Sequence, residues 1–461
     1  MNRRRFGLAL LAAVAASAQA SAESGTLTAA ERAAIVASLR QAPTALRDLD
    51  DAALVARVLA AAAGETAQLI DPADIDPLWS LSPPPRDLAE AFRAARAAGR
   101  LAVWLDDLAP AAPAYRALRT ARGTFVDMTA AGGWPRLPDG ATLRPGEWAP
   151  GVPALRARLS AEGYLVPATV DVDLFDPGLA QALRVFQADH ALDEDGVLGP
   201  ATRRELDASA EARLAQIDAN LERWRWLPTA MPADRVEVDT GAQELVLYRL
   251  GAPALRMRAV VGAPQHPTPM FASRIDAVVF NPPWNVPESI AHNELLPAEA
   301  KRPGLLASMG ISWVDGHLQQ RPGPGNSLGV VKFDLQSRFG VYLHDTPGKG
   351  LFANPVRAFS HGCMRLADAP ALAAALLSPQ GGSPASVATV IATGGTRRVA
   401  LERPLPLFVV HRTVAVGPDG RLTFRPDIYG WDRRLAAWLA ASRLAPDQGV
   451  GPAVAQALAH A

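Results

Sequence analysis

The sequence predicts an α+β protein, helical through its first part and β-rich from about residue 234. Three observations carry that prediction. From Ser24 to Arg122, apolar residues (mostly Ala and Leu) recur three and four positions apart, with Arg and Glu opposite them. At about Asp234 the period changes: RVEVDTGAQELVLYRL alternates apolar and polar residues around a Gly-containing turn. Beyond it, MRAVVGAPQHPTP and ASRIDAVVFNPPW keep a β pattern between Gly and Pro punctuation, and the β-rich character runs to about residue 415. Hydrophobic residues at 49% and charged residues at 20% are enough to bury the cores of an ordinary globular protein. The 46 basic side chains balance 46 acidic ones, so no long-range attraction to nucleic acid or an anionic membrane is expected.

Residues 1–22 begin with Arg3, Arg4 and Arg5, continue through a short apolar run from Phe6 to about Ala16, and end in small residues. Ala18-Gln19-Ala20 and Ala20-Ser21-Ala22 both suit a signal peptidase. The apolar run is too short to cross a bilayer. It reads as a signal peptide using the Sec or the twin-arginine route, which implies a periplasmic protein with no membrane span after cleavage. Residues 23–150 read as a helical scaffold. LTAAERAAIVASLRQA and PPPRDLAEAFRAARAAGRLAVWL are its helices, the second capped by Asp87, and the Gly- and Pro-rich residues 123–150 are a loop-rich connection.

Residues 151–210 form a compact unit with three helical stretches: VPALRARLSAEGYL, PGLAQALRVFQADHAL and, after the turn Asp195-Gly196, a third begun by Pro200 and Thr202. Gly163-Tyr164, the FQ of the second helix and the following DG…G..T...L string resemble the all-α, three-helix peptidoglycan-binding module. The acidic DVDLFD before helix two departs from that pattern, where a glycine is common. Residues 211–233 read as a helical linker. The closing residues 416–461 read as a β-hairpin about Pro418-Asp419-Gly420, a surface helix, and a mobile Ala-rich tail from about Ala445.

Chemistry concentrates in three stretches of the β-rich domain: NPPWNVP (281–287), VYLHDTP (341–347) and SHGCMRL (360–366). Cys363 is the only cysteine, so it forms no disulfide within the chain. His344 ends the strand-like Val341-Tyr342-Leu343, where its side chain can face a cleft, and one loop then leads back to Cys363. An imidazole beside a thiol supplies a base and stabilises the thiolate, the reactive form. Gly362 opens space for a substrate carbonyl and lets backbone N–H groups face a developing oxyanion. His344, His361 and Cys363 could in principle ligate zinc, but no second cysteine and no HExxH spacing accompany them, and neither a metal nor a cofactor is expected. The histidines at 190, 266, 292, 317, 411 and 460 show no clustering in sequence.

Together, NPPWNVP, NSLG (326–329), YLHDTP and RAFSHGCMRL resemble the catalytic domain of the L,D-transpeptidases, the YkuD fold, in its larger branch with scaffold and peptidoglycan-binding module. That resemblance implies a catalytic domain over 234–415, interrupted at about 288–325 by a helical lid with a hairpin, ISWVDGHLQQ. It implies Cys363 as the acylated nucleophile and His344 as its base. Asp345, or the backbone beside it, would fix the imidazole tautomer. Backbone N–H groups at His361, Gly362 and Cys363 would form the oxyanion hole. Arg365 would support the site or hold a carboxylate, and Ser360 and His361 would line the pocket. Tyr342, Trp284 and Trp313 are candidate walls of the groove. The implied reaction joins two diaminopimelates of peptidoglycan stem peptides, with release of D-alanine. Glycan strands and carbapenem-type inhibitors are the implied partners of a monomer. Water as acceptor would make an L,D-carboxypeptidase and a protein amine a lipoprotein-anchoring enzyme. A non-catalytic peptidoglycan-binding protein is the reading from another class.

Overall fold

The computed structural model describes residues 26–39, 46, 49–66, 71–83, 87–108, 110, 112–165, 172–417 and 419–444. The expected signal peptide (1–22), Pro418 of the C-terminal turn and the tail from Ala445 lie outside the described residues. No helix among the described residues is long and apolar enough to cross a membrane.

The N-terminal helices form where caps and apolar spacing coincide. Thr28 opens Ala29–Ser38 with a reciprocal capping box to Glu31, and Asp87 caps Leu88–Ala97 through the Glu90 N–H at 2.9 Å. The single helix expected over 87–105 is two, because Gly99 takes φ +65° and the chain restarts at Leu101–Asp106. Ile35, Leu54, Val58, Phe92 and Leu101 pack into one small core with the helix Asp51–Thr66.

Two expected connections prove to be packed helices. Pro113–Ala130 runs straight through Gly123, so only residues 131–150 of the expected loop are loop. The packing of Tyr115 and Leu118 against Ile217 and Leu221 outweighs the roughly 1 kcal/mol that glycine costs inside a helix. Its partner, Ala210–Arg225, was expected as a linker but buries Ile217, Asn220, Leu221 and Arg223. Asn220 is tied to Thr413 by two hydrogen bonds (2.7 and 3.0 Å), and Arg223 pairs with Asp432. The N-terminal region is also joined to the sheet: Trp79 is fully buried among Trp226, Trp431 and Met270, and the Ser80 N–H donates to the Met270 carbonyl at 2.8 Å.

The three-helix unit comprises Val152–Ala161, Pro177–Asp189 and Pro200–Leu206, packed through Leu155, Leu179, Leu183, Phe186, Leu198 and Leu206. Gln187 of the FQ pair is buried and holds the Asp195-Gly196 turn. Its Oε1 accepts the Gly196 N–H (2.8 Å), and its Nε2 donates to Asp195 (2.8 Å) and Thr202 (3.1 Å). Thr202 is therefore an interior partner of Gln187, and Gly199 is the residue that precedes the third helix.

The β-rich region is one nine-stranded sheet with two small additions. Its strands are β1 Arg235–Asp239, β2 Glu244–Arg249, β3 Ala252–Gly262, β4 Phe271–Phe280, β8 Val331–Leu335, β9 Leu343–His344, β10 Ala358–Ser360, β11 Met364–Leu366 and β12 Arg397–Val410. Between β4 and β8 lie β5 Trp284–Asn285, β6 Ile311–Val314 and β7 His317–Gln320, which form a separate three-stranded sheet. β13 Val414–Val416 and β14 Leu422–Phe424 make the C-terminal hairpin. Strand order is β10-β3-β11-β9-β8-β4-β12-β1-β2, and β2 also pairs with β3, so the ribbon returns on itself and leaves few open edges. Alternating residues such as Val236, Val238, Ile275, Phe333, Leu343, Met364 and Leu407 fill one core under the helices Ala369–Leu377 and Pro384–Ala392.

The insertion between β5 and β8 has its own apolar cluster of Val286, Ala291, Leu306, Ile311 and Leu318. It begins with a helix–π-helix–helix run from Glu288 to Lys301 and ends in the β6–β7 hairpin.

Candidate active site

Strands β9 and β11 build the site. They pair in parallel, with Met364 opposite Leu343 and Arg365 opposite His344. Continuing that register by one residue sets Cys363 opposite Tyr342, and the Met364 N–H donates to the Tyr342 carbonyl at 3.0 Å. Side chains on a strand alternate between faces. Leu343 and Met364 are completely buried in the core, so Tyr342, His344, Cys363 and Arg365 share the other face. A one-residue slip would send all four into the core.

His344 is buried, and its Nδ1 lies 2.5 Å from the Asp345 carbonyl oxygen. A carbonyl only accepts, so Nδ1 carries the proton and Nε2 keeps its lone pair. The Asp345 carboxylate faces elsewhere, accepting from the Val330 N–H (3.0 Å) and from Lys349 Nζ (2.6 Å). The backbone of Asp345, and not its side chain, therefore sets the tautomer. Gly329 of NSLG makes this possible. It has φ +63°, and a Cβ there would stand 2.3 Å from Asp345 Oδ2.

Burial pushes the His344 imidazole down to about 3, and nearby Arg365 adds to that, against the pull of the Asp345 carbonyl. Burial also pushes the Cys363 thiol up, while the Tyr342 backbone, Arg365 and Lys332 favour its thiolate. Burial thus favours the neutral thiol and the neutral imidazole on this face, so a proton must leave the sulfur as it attacks. The Tyr342 hydroxyl bonds both Cys363 and Trp284, and its ring lies 5.7 Å from that of His344. Arg365 is half-buried, its Nε has no hydrogen-bond partner among the described residues, and desolvation holds it below its usual range.

The turn that carries Cys363 is bonded internally in a way the sequence does not reveal. Gly362 has φ +105°, which suits only glycine well. Its N–H donates to Ser360 Oγ (3.1 Å), and Ser360 Oγ donates to the Cys363 carbonyl (2.5 Å). Ser360 is thus a buried brace of the turn and not a pocket wall. The Gly362 N–H is spent on it, which removes that group from the expected oxyanion hole. The His361 and Cys363 N–H groups donate to no other group among the described residues.

His361 is exposed and pairs with Glu294 of the insertion, Nε2 to Oε1 at 2.7 Å. It stacks on His266 at 4.9 Å, so one histidine expected to stand alone belongs to the site. Trp284 reaches the site through Tyr342, whereas Trp313, on β6, is 60% exposed. Glu294, His266, Lys332 and Thr268 carried no sequence signal, because each meets the site from a distant segment. Among the described residues no group of His, Cys, Asp and Glu could hold a metal ion.

A thiol, a one-proton imidazole and a guanidinium on one sheet face, near a backbone N–H, have the chemistry needed for acyl transfer through sulfur. Residues 233–396 match the L,D-transpeptidase catalytic domain family (YkuD), residues 149–206 match a peptidoglycan-binding domain family, and residues 4–121 match the scaffold domain family. A Haemophilus influenzae protein, provisionally named an L,D-transpeptidase, is 30% identical over 251 residues, covering 50% of this chain and 51% of its own. The N-acetylmuramoyl-L-alanine amidase CwlM of Mycobacterium tuberculosis is 40% identical over 80 residues, covering 16% and 20% of the two chains. The chain thus spans about half the length of the first of these relatives and a fifth of the second. Among solved structures, L,D-transpeptidase 3 from Mycobacterium tuberculosis is 15% identical and covers 39% of this chain and 62% of its own, with a TM-score of 0.21. The Enterococcus faecium catalytic domain acylated by ertapenem is 16% identical and covers 39% and 98%, with a TM-score of 0.22.

Proposed function

We propose that this chain is an exported cysteine L,D-transpeptidase that cross-links peptidoglycan stem peptides. The observation that carries the reading is the shared face of β9 and β11, which holds both Cys363 and His344, with the His344 tautomer set by Asp345. In the first half-reaction His344 Nε2 takes the thiol proton as Sγ attacks the carbonyl of diaminopimelate in a tetrapeptide stem. The Cys363 N–H stabilises the oxyanion, the bond to D-alanine breaks, and D-alanine leaves with that proton. In the second, the side-chain amine of another diaminopimelate attacks the thioester, loses its proton to His344, and returns Cys363 as thiolate or thiol. Arg365 favours the thiolate through its charge.

The match of residues 149–206 to a peptidoglycan-binding family and the insertion touching the site through Glu294 favour a stem peptide over water as acceptor. Export to the periplasm rests on the sequence of residues 1–22. The experiment is incubation of the purified chain with tetrapeptide muropeptides, read by mass spectrometry beside Cys363→Ala. Cross-linked dimers lacking one D-alanine are expected from the wild type alone. Identical product profiles from both proteins would end the proposal.

A further inference from the structure

The loop from Gly262 to Thr268 wraps the turn that carries Cys363. Gly262 must be glycine here, because a Cβ would stand 2.1 Å from the His266 carbonyl oxygen where the loop folds back. The Ala263 N–H donates to the Ser360 carbonyl at 2.8 Å. Thr268 is completely buried; its Oγ1 accepts the Gly262 N–H (2.8 Å) and donates to the Gly362 carbonyl (2.8 Å).

The last bond has a geometric consequence. The Gly362 carbonyl and the Cys363 N–H belong to one planar trans peptide, so they point in opposite directions. Drawing the carbonyl inward onto Thr268 turns the Cys363 N–H away from Thr268, outward from the cradle. That N–H donates to no other group among the described residues. Thr268 is locked in turn by Tyr429, whose hydroxyl donates to the Gly262 carbonyl (2.9 Å) and accepts the Thr268 N–H (3.3 Å). Tyr429 lies beyond residues 233–396 and packs in a cluster with the rings of His411 (5.3 Å) and Trp431 (4.6 Å). His411 is itself fixed, Nδ1 to Thr240 Oγ1 at 2.8 Å and Nε2 to Asp427 at 3.3 Å.

We infer that Thr268 is a positioning residue that aims the Cys363 N–H as oxyanion donor, and that Tyr429, outside the catalytic-domain match, holds Thr268 in place. This rests on the acyl-transfer function proposed above. The test compares two reactions of the same thiol in the full chain. Acylation by a carbapenem passes through an oxyanion, whereas alkylation by iodoacetamide displaces iodide and needs no oxyanion donor. Thr268→Val is expected to slow acylation by roughly 10- to 100-fold, the scale of a misplaced oxyanion donor. Alkylation should change by less than about twofold, since it draws only on thiolate nucleophilicity. Thr268→Ser, which restores the hydroxyl, should recover acylation, and Tyr429→Phe should slow acylation selectively by a smaller factor. An unchanged acylation rate in Thr268→Val overturns the inference while leaving the function standing. Parallel loss of acylation and alkylation overturns it too, because it marks general damage to the turn. Absence of a carbapenem adduct on the wild type overturns both the inference and the function on which it rests.

Discussion

Replacing Gly329 with alanine tests how the base is held. The new Cβ would lie 2.3 Å from Asp345 Oδ2 and 2.5 Å from Asp345 Cβ and Cγ, well inside contact distance. Rotating the carboxylate does not relieve the clash, since Asp345 Cβ is fixed to the backbone. Two costs add. A left-handed conformation for a residue with a Cβ costs about 1–2 kcal/mol. Displacing the carboxylate weakens its bonds to the Val330 N–H and to Lys349, charge-assisted contacts worth roughly 1.5–3 kcal/mol for the better-buried one. The Lys349 side chain is 49% exposed and adds little. The expected loss is therefore about 2.5–5 kcal/mol, measured as a lower midpoint in urea at unchanged slope. Because the same residue's carbonyl holds His344 Nδ1, carbapenem acylation of the folded fraction should slow by about tenfold or more. An unaltered midpoint together with an unaltered acylation rate would refute the coupling of NSLG to the base.

The pH dependence follows from the depressed His344. Its folded value is about 3 against an ordinary value of about 6.5, so the base form persists throughout the range where a free histidine would protonate. Acylation should show no one-proton loss centred near 6.5, and should rise only at higher pH as the raised thiol ionises. A clear inflection near 6.5 that vanishes in His344→Gln would show that burial does not govern this group. Glu294→Gln tests the contact between the insertion and the site rim. Both partners are well exposed, and exposed pairs typically contribute at most about 1 kcal/mol, so proteolytic cleavage within residues 288–325 should rise by up to about fivefold. Unchanged cleavage would mean that Trp284–Tyr342 and the insertion's own core hold it alone.

The parts of this fold that were legible in the sequence are those with a local signature. Period-two alternation marked the strands of the sheet, and Asp87 and Gly99 are ordinary helix punctuation, although Gly99 was read through as helix. That the segments carrying His344 and Cys363 come together was legible from one strand, a loop and a return between them, and β9 and β11 are neighbours in the sheet. What was not legible depends on contacts between distant segments. Residues 211–233 read as a helical linker, yet in Ala210–Arg225 Asn220 bonds Thr413 and Arg223 pairs with Asp432, so polar residues of the helix are taken into the interior. Gly123 and its neighbours read as loop because the helix they continue is stabilised by tertiary packing. In the site, Ser360 and Gly362 satisfy one another, which no residue pattern announces. Thr268 and Tyr429, single polar residues in loops, act through the fold alone.

The central claim is that Cys363 attacks a carbonyl with neutral His344 as its base. Its most direct measurement is the intact mass of the chain after carbapenem exposure, followed by peptide mapping, for the wild type, Cys363→Ala and His344→Gln. The account predicts a single adduct on the peptide containing Cys363, none in Cys363→Ala, and formation slowed by roughly 100-fold or more in His344→Gln. An adduct at any other residue, or equal rates with and without His344, would contradict it.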